Sequence, residues 1–137
     1  MEKKILNFLA KEHVSALTTI LSSKTPHTAT MHFGFNSKTF EFVYFTKMTS
    51  RKCTSLKIGK KFPASIAVGF DEKKMVEFQA EGQIEMIEKV KSEKYVKVFA
   101  NKLKGAELDA DHIVLAFKPK WWRYTEYKPK FVVIESK

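Results

Sequence analysis

Between residues 76 and 86 the chain alternates apolar and polar positions without a break. Val76, Phe78, Ala80, Gly82, Ile84 and Met86 share one parity, and Glu77, Gln79, Glu81, Gln83 and Glu85 share the other. Successive side chains of a strand point to opposite faces, so this stretch is a long strand buried on one side only. Gly82, in its middle, permits a bulge or bend, a common means of curving a sheet. Upstream, residues 13–21 (HVSALTTIL) are rich in β-branched side chains and read as a strand. The turn SSKTP at 22–26 then leads into a second strand at 27–35, which makes a hairpin. A further turn at 36–38 opens a third strand at 40–46, apolar on both faces beyond Phe42, as in a strand covered on two sides.

A fourth strand is expected over 62–71, and the last third of the chain returns to strands at 112–117, 121–127 and 131–135. Three helices interrupt this series. The first is amphipathic, with Ile5, Leu6 and Leu9 on one side. The second is short, near 50–57. The third follows Ser92, carries Tyr95, Phe99 and Leu103 on one stripe, and has Gly105 near its end. Short-looped strands with a few short helices predict a β-dominated α+β fold, a small closed or partly open barrel. No linker, repeat or low-complexity segment divides the chain, so residues 1–137 are read as a single domain.

Composition narrows the class. The chain is 44% hydrophobic and 13% aromatic, which excludes a disordered protein. No apolar run approaches the roughly 18 residues that a membrane helix needs. The start, MEKKILNFLAKEHV, lacks the uninterrupted apolar stretch and cleavage site of a signal peptide. One cysteine, Cys53, builds neither an internal disulfide nor a zinc site. The expectation is a soluble, cytoplasmic protein without a membrane partner. The net charge of +10 favours nucleic acid, anionic lipid or a phosphorylated small molecule as partner. The scattered lysines serve solubility equally well.

The cations crowd at 45–61, FTKMTSRKCTSLKIGKK. Thr49 or Ser50 can cap a helix there, with Cys53 and Leu56 facing inward. A hydroxyl, a helix start, Arg51 and Lys52 then converge, which is the combination a phosphate requires. A solvated basic helix end is the other reading. His13, His27, His32 and His112 show no metal-ligand spacing, and no metal site is expected. No Gly-rich phosphate loop or nucleophile motif is present, so no catalytic residue is assigned. Glu77, Glu81 and Glu85 read as a solvated face. Trp121 and Trp122 must leave a strand on opposite sides, and an outward Trp beside Arg123 suits an interface or a planar ligand. The stretch KPKWWRYTEYKPK at 118–130 interleaves aromatics and cations as single-stranded nucleic-acid binders do.

The order of these elements resembles the pyridoxamine 5′-phosphate oxidase-like, FMN-binding split β-barrel superfamily. The resemblance runs from Phe8 to about Ile87, through FLAKEHVSALTTI, FVYFT, SRK, FPASIAVGF and VEFQAEGQIE. Its most specific element is Phe45-Thr46 followed, after three residues, by Ser50-Arg51-Lys52. The resemblance implies FMN, with its phosphate held by Ser50, Arg51 and Lys52 and with Thr46 close by. It places the strand 28–33, including Thr30, Met31 and His32, beside the flavin ring. It also implies a homodimer in which Gln79 and one of Trp121 or Trp122 serve a flavin site at the subunit interface.

Three departures matter. The Arg and Lys that genuine pyridoxamine phosphate oxidases carry in the second strand fall at Thr28 and Phe33. A family glutamine falls at Glu77, with Gln79 nearby. The C-terminal Arg-x-His motif is missing, so vitamin B6 oxidation is not expected. The expected function is a flavin-dependent oxidoreductase acting on an unidentified small molecule. F420 or haem in the same pocket, flavin binding without turnover, and a nucleic-acid-binding barrel are the alternatives.

Overall fold

The computed structural model describes residues 2–137. Its elements in chain order are α1 (Lys3–Lys11), β1 (Val14–Ile20), β2 (Pro26–His32), β3 (Gly34–Asn36), β4 (Glu41–Lys47) and a 3-10 turn (Arg51–Ser55). There follow β5 (Lys61–Val68), β6 (Val76–Ile87), a 3-10 turn (Lys89–Lys91), α2 (Glu93–Lys102), β7 (His112–Glu126) and β8 (Val132–Glu135). The strands form one antiparallel sheet in the order β2-β1-β5-β6-β7-β4-β3, with β8 pairing β7 off that path. The strands at its two ends, β2 and β3, are joined by Phe33 alone, so the sheet curls until its edges meet at that corner. The result is a β-dominated α+β fold, a split barrel with two short α-helices.

Apolar parity explains the curl. Leu17, Phe33, Phe42, Tyr44, Phe78, Ile84 and Phe117 point into one continuous core, which Ile5 and Leu9 of α1 join. Phe8 of the same helix lies edge-on to Tyr124, with ring centroids 5.9 Å apart. A second cluster forms on the other side of β4 and β7, where Val43, Val114 and Ala116 meet Phe99 of α2. β4 and the first part of β7, residues 113–117, are therefore covered on both faces, which is why they read as apolar runs. At the barrel centre the Ser15 and Tyr44 hydroxyls lie 2.8 Å apart and link β1 to β4 across the interior. Burial pushes the Tyr44 phenol above its usual range, and the Ser15 bond opposes that in part.

The structure differs from the pattern reading in three places. The strand expected over 27–35 is broken at Phe33, because β2 pairs with β1 and β3 with β4. The strands expected at 112–117 and 121–127 are one strand, β7. Its first half pairs with β4 and its last residues with β8, while β6 runs along its other side. Pro119, in the gap between the two expected strands, sits opposite Gly82 where the register shifts between Glu81 and Gly82. A proline at a bulge costs no regular ladder bond. The third difference is the helix expected at 50–57, which is only the five-residue 3-10 turn. Among the described residues no helix is long and apolar enough to cross a membrane.

Candidate functional site

Phe42, Tyr44 and Thr46 occupy alternate positions of β4 and share its inner face. Thr46, at the end of that row, is a buried polar residue. The chain then turns through 48–50 and brings Lys52 back beneath the strand end. Lys52 is 7% exposed, and its Nζ donates to Thr46 Oγ1 at 3.1 Å. The Thr46 and Ser50 hydroxyls are 3.2 Å apart, and Ser50 Oγ donates to Cys53 Sγ at 3.3 Å. Cys53 and Leu56 are buried, as their spacing predicts. Burial holds the Lys52 ammonium below the usual lysine range, and the nearby Cys53 opposes this in part. No carboxylate pairs with Lys52 among the described residues. An ammonium carries three donors, and one is accounted for by Thr46. Arg51 is exposed beside it.

The helix start expected at Thr49 or Ser50 contributes little here. Five residues of 3-10 turn align too few peptide units for a substantial macrodipole. Ser50 stands at the N-cap position, yet its hydroxyl makes no capping bond. Full charges and hydroxyls remain, and they form the cradle without the dipole.

A cavity of about 690 Å³ opens where β2, β4 and the end of α2 meet. Thr30, Met31 and His32 line it from β2, and Phe45, the neighbour of Thr46, lines it from β4. Phe45 stacks on Phe99 with centroids 4.0 Å apart and planes 18° apart, which seats α2 against the strand. From α2 comes Lys102, a residue the sequence reading did not single out. Its Nζ donates to the Leu9 carbonyl at 2.8 Å and lies 3.5 Å from the centroid of the Phe33 ring. Burial lowers its pKa to about 7, and Glu12 acts in the opposite direction. A signal was available, since 95, 99 and 102 share the apolar stripe of α2 and a lysine there faces inward.

The remaining candidates lie elsewhere. Gln79 and Trp121 line a shallow cavity of about 240 Å³ on the outer face of the sheet, with Thr18, Ser65 and Ala67. Trp122 turns inward, its ring 6.0 Å from both Phe78 and Phe40. The ladder runs Thr30–Ala16–Ala67–Gln79, so Gln79 stands three strand spacings, about 14 Å, from Thr30. Within one chain, Gln79 and Trp121 therefore do not line the cavity that Thr30, Met31 and His32 line. Asp109, Asp111 and His112 also come together at the start of β7, a cluster the sequence reading missed. It is exposed and already bonded internally, with His112 Nδ1 3.0 Å from Asp111.

A family model for pyridoxamine 5′-phosphate oxidase matches residues 1–126. The chain belongs to the pyridoxamine 5′-phosphate oxidase family. No curated protein matches it in sequence. Solved structures of this family's fold agree along nearly the whole chain. A conserved hypothetical protein of Mycobacterium tuberculosis, Rv2991, is similar at TM-score 0.72 and 17% identity, over 93% of this chain and 86% of that one. A haem-binding protein from Mycobacterium smegmatis is similar at TM-score 0.65 and 15% identity, over 93% and 54%. A pyridoxamine 5′-phosphate oxidase-related, FMN-binding protein from Nostoc punctiforme is similar at TM-score 0.63 and 13% identity, over 91% and 87%. Identities this low establish a shared fold. The cradle at the end of β4 holds a buried cation without a carboxylate partner among the described residues.

Proposed function

We propose that this protein binds FMN at the interface of a homodimer and acts as a flavin-dependent oxidoreductase on a small molecule. The observation that carries the reading is Lys52. It is a buried ammonium bonded to the Thr46 hydroxyl, with Ser50 and Arg51 beside it and, among the described residues, no carboxylate to balance it. A buried charge without a partner is costly, and a phosphate would supply the missing charge and acceptors. A cavity of about 690 Å³, on the face of β4 that Phe45 occupies rather than Thr46, lies within the size range of small-molecule sites. The flavin would carry the redox chemistry. The chain's own residues would bind and orient it: Ser50, Arg51, Lys52 and Thr46 at the phosphate, and Thr30, Met31 and His32 along the ring.

The separation of about 14 Å between Thr30 and Gln79 supports the homodimer, because a second copy can bring its own Gln79 and Trp121 to this site. Of the two tryptophans, Trp121 is the one placed to do so. Haem is a second reading, favoured by His32, an imidazole in the same cavity that can ligate iron. The nucleic-acid reading loses its motif: β7 sends Trp122 into the core and buries Tyr124, so the aromatics of 118–130 do not share one face.

The visible spectrum of freshly purified protein, with mass spectrometry of the released ligand, separates flavin, F420 and haem. Arg51→Ala and Lys52→Ala are each expected to weaken FMN binding about 10- to 100-fold, the loss of one charge-assisted contact. A double variant that keeps wild-type affinity would overturn the phosphate assignment. Bleaching of the bound flavin by NADH or NADPH without oxygen is expected of an oxidoreductase and not of a storage protein.

A further inference from the structure

The cavity between β2, β4 and α2 has a one-sided charge. Lys102, Lys104 and His32 line it, and no Asp or Glu does. Met31, Phe45 and Leu103 supply apolar wall, and Thr30 adds a hydroxyl. Lys102 is held by the Leu9 carbonyl of α1 and by the face of the Phe33 ring, both uncharged partners. The charged groups that face it are Glu12 from the end of α1, His32 from β2 and Lys104 from its own end of α2. Glu12 is already engaged, with Lys74 Nζ 2.8 Å from its carboxylate. Among the described residues Glu12 is therefore the one carboxylate acting on this cation, and it is shared with Lys74.

We propose that this cavity selects a small organic anion, and that Lys102 is the residue that anchors its anionic group. This deepens the oxidoreductase reading, on which it rests for the ligand's redox role: the substrate is a molecule with a flat or apolar body and one acidic end. The apolar wall takes the body, and Lys102 takes the charge. Because burial already lowers the Lys102 pKa to about 7, an arriving anion draws a proton onto it near neutral pH. Binding is then coupled to proton uptake and weakens as the pH climbs above that region.

The test uses benzoate as the anionic probe and benzamide as its neutral counterpart, each titrated into the protein as purified. Calorimetry is expected to show benzoate binding at least about tenfold more tightly at pH 6 than at pH 9, with benzamide weak and flat. The carbon-13 resonance of the Lys102 Cε, followed against pH, is expected to move its midpoint upward by about one pH unit with benzoate and not with benzamide. Lys102→Met is expected to abolish the preference for benzoate, and Lys102→Arg to keep it while removing the pH dependence. An unmoved Lys102 midpoint, equal binding of the two probes, or no benzoate binding would overturn the proposal. The resonance is read on unmutated protein, so it decides the matter even where Lys102→Met does not fold. FMN affinity is measured in parallel. Loss of FMN binding with the benzoate response intact would count against the flavin reading alone, and the reverse against the anion site alone.

Discussion

Lys52 and Lys102 are both drawn out of water on opposite sides of β4, and each finds an uncharged partner inside the chain. Their burial gives the protein a definite pH signature. The unfolded chain keeps each lysine protonated up to the ordinary lysine range, near 10.5, whereas folded Lys102 loses its proton around 7. Between those values the unfolded state binds more protons, so stability rises with pH through that window. Lys52 contributes in the same direction. Thermal unfolding followed from pH 7 to 10 is expected to show this rise, and Lys102→Met is expected to flatten it. An identical slope in the variant would show that Lys102 titrates normally. Thr19 offers a simpler test. Its hydroxyl is buried and has no hydrogen-bond partner. Thr19→Val is expected to stabilise the fold by about 1 kcal/mol, read as a higher urea midpoint at unchanged slope.

At the scale of elements, the alternation over 76–86 was readable because β6 has one wet face and one dry face. The helix stripe of Tyr95 and Phe99 was readable for the same reason, and Phe99 is buried under β4. The strand breaks were not readable, because they depend on partners. Phe33 ends β2 only because the next residues must pair with β4. Pro119 does not end β7 because Gly82 offers a bulge opposite it. Gly34 marks the tightest element contact near the cavity. A Cβ there would stand 2.7 Å from the Phe99 Cα, a backbone atom that cannot step aside alone. Gly34→Ala is expected to cost about 1–3 kcal/mol and to displace α2. Chemical denaturation measures the first effect. The pH midpoint of Lys102 measures the second, since a displaced α2 exposes its ammonium and raises that midpoint.

For the whole molecule, the outer face of β1, β5 and β6 carries small side chains in register, Ala16 beside Ala67 and Thr18 beside Ser65. Trp121 rises at the edge of that patch. If two copies meet there, as the proposed FMN site requires, Ala67→Lys places two like charges in a dry interface. The variant is expected to sediment as a monomer, to melt in a concentration-independent way, and to lose at least about tenfold in FMN affinity. A variant that stays dimeric and keeps its affinity would move the interface elsewhere.

Local chemistry determined a good deal by itself. Side-chain parity marks each strand's buried face without knowledge of its neighbours, and the helix stripes follow from a fixed turn angle. The spacing of Thr46, Ser50 and Lys52 sufficed to bring these residues together at one strand end, because they are joined by one short turn. Only the tertiary structure decided which way Trp121 and Trp122 face, since parity says that they differ and the barrel says which side is inside. It alone brought Lys102 to the Leu9 carbonyl across a separation of 93 residues. The physical reason is common to both cases: an element's pattern records that it has a dry side, while the identity of what dries it is settled by chain closure.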